Sequence, residues 1–141
     1  MIPPARFVLD TSTAMAWCFE DEADPYADAV LDTLKDAGAI VPGLWVLEVA
    51  NVLLVAERRG RIDREQSEGF LMLLMELPIY VRDSVEIHHA LDLVRLGGEL
   101  NLSAYDASFL FLAKKTALPL ATRDNRLAQA AAQTSVPIFQ P

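Results

Sequence analysis

Short apolar segments alternate with longer helical segments along almost the whole of this sequence, and that alternation constrains the fold more than any other feature. Strands are predicted at residues 6–9, 39–42, 79–81, 118–122 and 136–139. Parallel strands need long crossover connections, which helices usually supply. We therefore predict an α/β fold with a central, mostly parallel sheet that is flanked by helices on both sides.

Glycines and small polar residues set the predicted helix boundaries. The helices are predicted at residues 12–19, 25–38, 44–59, 63–77, 85–96, 103–117 and 124–133. Asp63 is the predicted N-cap of the fourth helix, because aspartate side chains accept hydrogen bonds from the free N–H groups of a first turn. Gly38, Gly60 and the pair Gly97 and Gly98 are predicted to end the helices that precede them.

Length and composition favour one cytoplasmic domain. The chain has 141 residues, enough for one sizeable core, and we predict a single domain over residues 1–141. No run of about 18 uninterrupted apolar residues is present, so no membrane span is predicted. The N-terminus lacks the layout of a signal peptide, and the single cysteine, Cys18, cannot form an internal disulfide. We therefore predict a cytoplasmic protein without a membrane partner.

The formal net charge of −8 argues against a general polyanion-binding protein, because nucleic-acid affinity usually depends on Lys and Arg. It does not exclude an enzyme that contacts phosphate through a metal ion held by its acids. A solvated helix end is the alternative interpretation of the basic cluster ERRGR. The candidate contacts to RNA phosphates are Arg58, Arg59, Arg61, Arg123 and Arg126.

Two aspartates come at the ends of predicted strands. Asp10 follows the apolar residues 6–9, and Asp124 comes just after residues 118–122. In open parallel sheets, ligands bind in a crevice outside the carboxyl ends of the strands. Both aspartates are therefore predicted to lie at such a crevice. The alternative is that each one only caps the helix that follows it.

Two further acids interrupt helices that are otherwise apolar. Glu48 and Asn51 share one face of a helix that is apolar on nearly all its other sides. This pattern predicts that the helix is buried on nearly all sides and that the two residues line an internal site. Asp106 lies near the predicted core-facing side of residues 103–117. A buried carboxylate has to be protonated, paired or metal-bound. The alternatives are that Glu48 pairs with a buried arginine and that Asp106 only occupies a favourable first helical turn.

One crevice at the strand ends explains all four acids together. Hard oxygen ligands without His or Cys select Mg²⁺ or Mn²⁺, which bind through a few carboxylates together with substrate phosphate. This arrangement suits phosphodiester hydrolysis by a metal-activated water, with one or two ions. The predicted catalytic residues and metal ligands are Asp10, Glu48, Asp106 and Asp124.

The segments VLDTS, LEVANVL and LSAYDASFLFLAKKTALPLATRDNRL, in that order, resemble the motifs of PIN-domain ribonucleases, specifically the VapC-type toxins of toxin–antitoxin pairs. The resemblance spans about residues 7–127. It places the four acids of the family on the same four residues that the strand ends and helices single out. It places supporting hydrogen-bonding residues on Thr11, Ser12, Asn51 and Thr122.

The resemblance implies a five-stranded parallel sheet and a single PIN domain with divalent-metal-dependent endoribonuclease activity. It also implies that the protein is the toxin of a type II toxin–antitoxin pair. As such it is expected to act on RNA, to be inhibited by a small cognate antitoxin of the VapB type, and to form a homodimer.

Two other functions remain open at the level of sequence. A receiver-type phospho-acceptor domain has a similar sheet and acid cluster, but it needs a lysine at the end of its last strand, and this chain ends in VPIFQP. A non-catalytic interaction protein on the PIN scaffold is the other alternative, and it is distinguished by a failure to cleave any RNA.

Overall fold

The structure is a computed structural model that describes residues 4–82 and 85–141, so residues 1–3 and 83–84 of the predicted domain lie outside it. Its strands are β1 (Ala5–Leu9), β2 (Gly38–Val41), β3 (Ile79–Val81) and β4 (Leu120–Ala121). Its α-helices are α1 (Thr11–Met15), α2 (Pro25–Leu34), α3 (Leu44–Arg58), α4 (Arg64–Glu76), α5 (Ala90–Leu100), α6 (Ala104–Thr116) and α7 (Asn125–Gln133). Short 3₁₀ turns lie at Glu20–Glu22 and Ile87–His89.

The strands form one parallel sheet in the order β3-β2-β1-β4. This confirms the predicted α/β class with a parallel sheet flanked by helices. The chain moves outward from β1 to β2 and β3, and then returns to place β4 on the other side of β1. The point where strand order reverses therefore lies between β1 and β4, and in such sheets it is the place where ligands bind.

The predicted five-stranded sheet has four strands within residues 4–82 and 85–141. Residues 136–139 do run beside β4, but they pair with it only through one isolated bridge, Leu120 to Ile138. Pro137 contributes its carbonyl to the Leu120 N–H at 2.9 Å but has no N–H to return. The last predicted strand is thus a pairing too short to form a regular ladder.

The C-terminal segment is held by its side chains as well as by this bridge. The ring of Phe139 stacks on that of Phe7 in β1, with centroids 4.2 Å apart, and both rings are buried. The Tyr26 hydroxyl donates to the carbonyl of Phe139 at 2.9 Å. Burial raises the pKa of Tyr26 to about 12. None of the helices in the described residues is long and apolar enough to cross a membrane.

Capping residues start most of the long helices where the sequence predicts. Asp63 and Gln66 form a reciprocal capping box at the start of α4, as predicted for Asp63. Ser103 accepts a hydrogen bond from the Asp106 N–H at the start of α6. α3 ends at Arg58, close to the predicted stop at Gly60. Local capping chemistry therefore accounts for these boundaries without tertiary contacts.

Three helix ends differ from prediction. α1 ends at Met15, well before the predicted residue 19. α2 ends at Leu34, and Gly38 is the first residue of β2 instead of a helix cap. A Cβ at Gly38 would lie 3.3 Å from the Tyr80 ring, so the glycine serves the close approach of neighbouring strands.

The largest difference is in α5, which runs through Gly97 and Gly98 and ends at Asn101 in the left-handed conformation, with φ of 55°. The chain turns back sharply there, and the Leu102 N–H donates to the Gly97 carbonyl at 3.0 Å. A Cβ at Gly97 would lie 2.8 Å from the Leu102 carbonyl oxygen, whereas a Cβ at Gly98 would meet nothing within 4 Å. Gly97 therefore makes room for the returning chain and does not end the helix.

We expect Gly97→Ala to lower the free energy of unfolding by about 1–3 kcal/mol, because the new methyl group must push the backbone at Leu102 away. Gly98→Ala is the matched control. It should leave stability unchanged or raise it by up to about 1 kcal/mol, because alanine favours the helix. Urea unfolding of both variants measures the difference, and equal effects would contradict this account of Gly97.

The expectation that α3 is buried on nearly all sides is wrong. Its inner side is buried at Trp45, Val49 and Leu53, but its outer side exposes apolar residues, with Leu47 72% and Val46 48% exposed. Apolar residues on both sides of a helix look alike in the sequence. Only the position of the neighbouring elements decides which side is covered.

Candidate metal centre

The first and last strands along the chain bring two of the predicted acids to one edge of the sheet. β1 and β4 are neighbours, and the Asp10 N–H donates to the Ala121 carbonyl at 3.0 Å. Asp10 follows β1 directly, and Asp124 begins the helix that follows β4. Both acids therefore lie at the carboxyl ends of the strands and at the reversal of strand order, as predicted.

Asp10 is the most buried of the four acids, at 5% exposure. Its Oδ2 atom accepts hydrogen bonds from the hydroxyls of Ser12 at 2.6 Å and of Thr122 at 2.7 Å. Although Asp10 occupies the N-cap position of α1, its side chain makes no capping hydrogen bond. The alternative that Asp10 only caps the following helix therefore does not hold, because its carboxylate makes no capping hydrogen bond.

Backbone amides fix the direction of these two hydrogen bonds. The Arg123 N–H donates to the Ser12 hydroxyl at 3.1 Å, and the Asp124 N–H donates to the Thr122 hydroxyl at 3.0 Å. Each hydroxyl thus accepts from the backbone and has its one proton left to donate to Asp10. These two relays, from amide to hydroxyl to carboxylate, favour an ionised Asp10 and use only one of its oxygens.

Glu48 approaches the site from α3. Its Oε1 atom accepts a hydrogen bond from the Thr11 hydroxyl at 2.7 Å. Glu48 forms no ion pair in the part of the chain that the structure describes, so the alternative of a buried arginine partner is not observed. Asn51, predicted to share its site, is exposed and faces a separate surface cleft with Arg59 and Arg61.

Asp106 and Asp124 lie at the helix positions that their alternative interpretations give them, a first helical turn and an N-cap. Asp106 lies in the first turn of α6. Asp124 caps α7, with Oδ1 accepting from the N–H groups of Arg126 at 2.9 Å and Leu127 at 3.2 Å. Capping uses one oxygen of Asp124, so it is compatible with a second role for the other oxygen.

Burial and like charge disfavour the ionised form of Asp10. Burial raises the pKa of Asp10 above its ordinary value of 3.8, and the Asp106 carboxylate raises it further. The hydrogen bonds from Ser12 and Thr122 lower it, but the net direction is upward. Burial of the ionised carboxylate therefore destabilises the fold, and the hydrogen bonds from the two hydroxyls offset this destabilisation only in part.

The same effects couple the remaining acids. Burial raises the pKa of Glu48, and the charges of Asp10 and Asp106 raise it further. The hydrogen bond from Thr11 lowers this pKa, but the net direction is upward. Burial likewise raises the pKa of Asp106, and the charge of Asp124 adds to it. Each of the four acids therefore interacts with at least one other, and they form one electrostatic cluster.

The cluster fits a divalent cation by its chemistry. Its donors are carboxylate oxygens, which Mg²⁺ and Mn²⁺ prefer. None of the four acids has an ion-pair partner among the described residues, so their mutual repulsion calls for positive charge. Within residues 4–82 and 85–141, no three such side chains already stand together as a ligand set.

The structure places most of the predicted RNA-binding arginines outside this cluster. Arg58 is ten residues beyond Glu48 along α3, which is about 15 Å along the helix axis. Arg61 pairs with Asp21 at 2.7 Å and Glu22 at 2.9 Å, and it lies over the Phe19 ring at 3.9 Å. The Arg61 side chain is therefore occupied by intramolecular partners, and the role of both arginines in RNA binding stays a prediction.

Arg123 is also occupied. Its guanidinium lies 3.4 Å from Asp24 and 3.9 Å from Glu22, and it donates to the Ser12 carbonyl at 3.4 Å. Arg126, by contrast, is exposed beside Asp106, whose pKa its charge lowers.

The acidic segment at residues 20–24 was not singled out from the sequence. Its signal was the run EDEAD, but a charge run alone does not identify its partner.

Comparisons with known proteins were consistent with this geometry. The family profile of the PIN domain matches residues 7–133. Among solved structures, the crystal structure of PAE2754 from Pyrobaculum aerophilum is similar, with a TM-score of 0.69 and 23% sequence identity over 89% of this chain and 84% of that chain. At this identity the likeness concerns the fold alone. No curated protein sequence matched.

Proposed function

Because this chain belongs to the PIN domain family, whose members are generally metal-dependent nucleases, we propose that it is a divalent-metal-dependent endoribonuclease. The observation that carries the proposal is the cluster of four coupled acids at the reversal of strand order. A receiver-type domain has no use for Glu48, which approaches this cluster from α3.

The proposed ligands of one or two Mg²⁺ or Mn²⁺ ions are Asp10, Glu48, Asp106 and Asp124. When bound, such an ion stabilises the charge that develops on a phosphodiester and lowers the pKa of water. Ser12 and Thr122 hold one oxygen of Asp10 and leave its other oxygen outside their contacts.

The Thr11 hydroxyl orients Glu48 by donating a hydrogen bond to one oxygen of its carboxylate. Its single hydrogen bond to Oε1 restricts rotation of a side chain that is only half buried. The helix that Asp124 caps sets the position of that carboxylate through two backbone N–H groups. The chain thus places its acids through hydrogen bonds to neighbouring elements, which restricts their motion before any ion binds.

We further propose that the protein is the VapC-type toxin of a toxin–antitoxin pair. The order of its motifs supports this proposal, and so do the exposed apolar side chains of α3 and α4, including Leu47 and Met75, which offer surface for an antitoxin of the VapB type or for a second copy in a homodimer. Brief induction in cells should arrest growth and create new RNA ends, and co-expression of the cognate antitoxin should prevent both.

The purified protein should cleave single-stranded RNA at internal positions when Mg²⁺ or Mn²⁺ is present, because the acid cluster then carries the positive charge that it lacks. End-labelled RNA resolved on a sequencing gel measures this activity. EDTA should stop it, and added Mn²⁺ should restore it. Cleavage that persists in EDTA contradicts the metal dependence, and no cleavage of any RNA with metal favours a non-catalytic interaction protein.

A further inference from the structure

One aromatic side chain stands apart from the others by its exposure. All Phe, Trp and Tyr residues of the chain lie in the described part, and Tyr105 alone among them is exposed, at 66%. The other Phe, Trp and Tyr side chains are buried or half-buried. A single exposed apolar residue needs no explanation by itself, so the position of Tyr105 carries the argument.

Tyr105 immediately precedes Asp106 in the first turn of α6. Their Cα atoms are about 3.8 Å apart, as in any trans peptide. α6 runs back toward the start of β4, so its first turn lies at the carboxyl edge of the sheet, where the acids are. Tyr105 is therefore an exposed residue at the edge of the sheet where the acids lie, and not at a remote surface.

The neighbouring cation supports a nucleic-acid occupant. Arg126 lies in the first turn of α7, where its N–H donates to the Asp124 carboxylate at 2.9 Å, so the residue stands at the acid cluster. Arg126 is exposed and forms no ion pair among the residues that the structure describes, unlike Arg61 and Arg123. An exposed aromatic side chain and an exposed arginine at the same edge of a site are the groups that single-stranded nucleic acids use, with the base on the ring and the phosphate on the cation.

We propose that Tyr105 is a stacking platform for the nucleobase next to the scissile phosphate, and that Arg126 contacts a phosphate flanking it. This inference rests on the proposed nuclease function and adds a residue that binds the substrate, Tyr105. A base inside a duplex cannot reach the ring without leaving its own stack, so the site accepts unpaired RNA. Because every base has an aromatic face, stacking on Tyr105 tolerates different sequences.

Binding, measured without cleavage, tests the platform separately from the nuclease chemistry. The probes are a fluorescein-labelled 12-nucleotide oligoadenylate and a 12-nucleotide abasic strand with the same backbone, read by fluorescence anisotropy at one fixed salt concentration. The protein carries Asp10→Asn, so that both probes stay intact in Mg²⁺. The comparison of the two affinities does not depend on cleavage, so it can be made even if the protein proves not to be a nuclease.

The parent protein should bind oligoadenylate about tenfold more tightly than the abasic strand, since stacking one base contributes a factor of that order. Tyr105→Ala should abolish this difference without changing affinity for the abasic strand, and Tyr105→Phe and Tyr105→Trp should keep it. Val94→Ala, which truncates a 68% exposed side chain on α5, is the control and should keep it too.

Two results would overturn the proposal. One is a Tyr105→Ala protein that still prefers oligoadenylate, and the other is an equal loss of affinity for both probes, which would indicate a structural role for the ring. Arg126→Gln should weaken both probes alike and flatten the salt dependence of binding, because it removes a phosphate contact and not a base contact. If Arg126→Gln binds both probes as tightly as the parent protein, Arg126 does not contact the RNA.

Discussion

Asp10→Asn and Asp106→Asn are each expected to lower Mg²⁺-dependent RNA cleavage by about a thousandfold while the protein stays folded. The proposed ion stabilises transition-state charge by several kcal/mol, and each 1.4 kcal/mol corresponds to a factor of ten in rate. Asparagine keeps the size of the side chain but removes the negative charge that holds the ion. Single-turnover cleavage of labelled RNA measures the loss.

The same substitutions should stabilise the metal-free protein near neutral pH. Because burial raises the pKa of Asp10 above 3.8, the folded state binds more protons than the unfolded state between 3.8 and the raised value. Stability therefore falls as the pH rises through that window, and the penalty is complete above the folded-state pKa. Asn removes this penalty, so the gain in melting temperature should disappear below about pH 4.

Asp36→Asn is the matched control, because Asp36 is exposed at the end of α2, away from the cluster. It should change neither cleavage nor the effect of metal. Added Mn²⁺ should raise the melting temperature of the parent protein and of Asp36→Asn, but not that of Asp10→Asn, because only a bound ligand stabilises the fold. Cleavage by Asp10→Asn at the parent rate would falsify the assignment of the site.

Thr122→Val is expected to destabilise the protein by about 1–3 kcal/mol at neutral pH and to weaken Mn²⁺ binding about tenfold. Thr122 is buried, at 6% exposure, and its hydroxyl connects the Asp124 N–H to the Asp10 carboxylate. Valine has the same shape but leaves both groups without this partner, and unsatisfied buried groups cost about that much. Urea unfolding and titration calorimetry with Mn²⁺ measure the two effects.

The pH dependence separates the loss of the relay from a packing defect. Without the Thr122 hydroxyl, the folded-state pKa of Asp10 rises further, because that hydrogen bond lowers it. The destabilisation should therefore be largest above the folded-state pKa and should shrink as the pH falls toward 3.8. A packing defect would be independent of pH in this range.

Thr122→Ser is the conservative variant and should keep most of the Mn²⁺ affinity, because it retains the hydroxyl. Thr33→Val removes a hydroxyl that only donates within α2, to the Ala29 carbonyl, and should not affect metal binding. The relay has no special role if Thr122→Val and Thr33→Val bind Mn²⁺ equally well.

Much of the site was predictable because its geometry follows from strand direction. Parallel strands end at one edge of a sheet, so Asp10 and Asp124 had to lie at the same edge once β1 and β4 were neighbours. The charges of Glu48 and Asp106 also interact with that of Asp10, and their role as metal ligands stays a prediction. Asn51 was predicted for the same site, but its face of α3 turns outward.

Local chemistry in the sequence by itself determined the element types and several helix starts. The alternation of apolar and helical segments specified the α/β class, and Asp63 and Asp124 cap their helices as aspartate does in many settings. These features depend on residues within one or two turns of each other. They are therefore readable without knowledge of the rest of the fold.

Features that depend on residues far apart in the chain were decided only by the tertiary structure. Gly97 lies within α5, where its lack of a side chain leaves room for the backbone of Leu102. The relays onto Asp10 join residues that are 110 or more positions apart in the chain, such as Thr122 and Asp10. Arg61 pairs with Asp21, 40 positions away, and so is not simply a free basic side chain. The sequence specifies which groups each residue offers, but the packing of the elements determines which groups meet, because hydrogen bonds and ion pairs form only within a few ångströms.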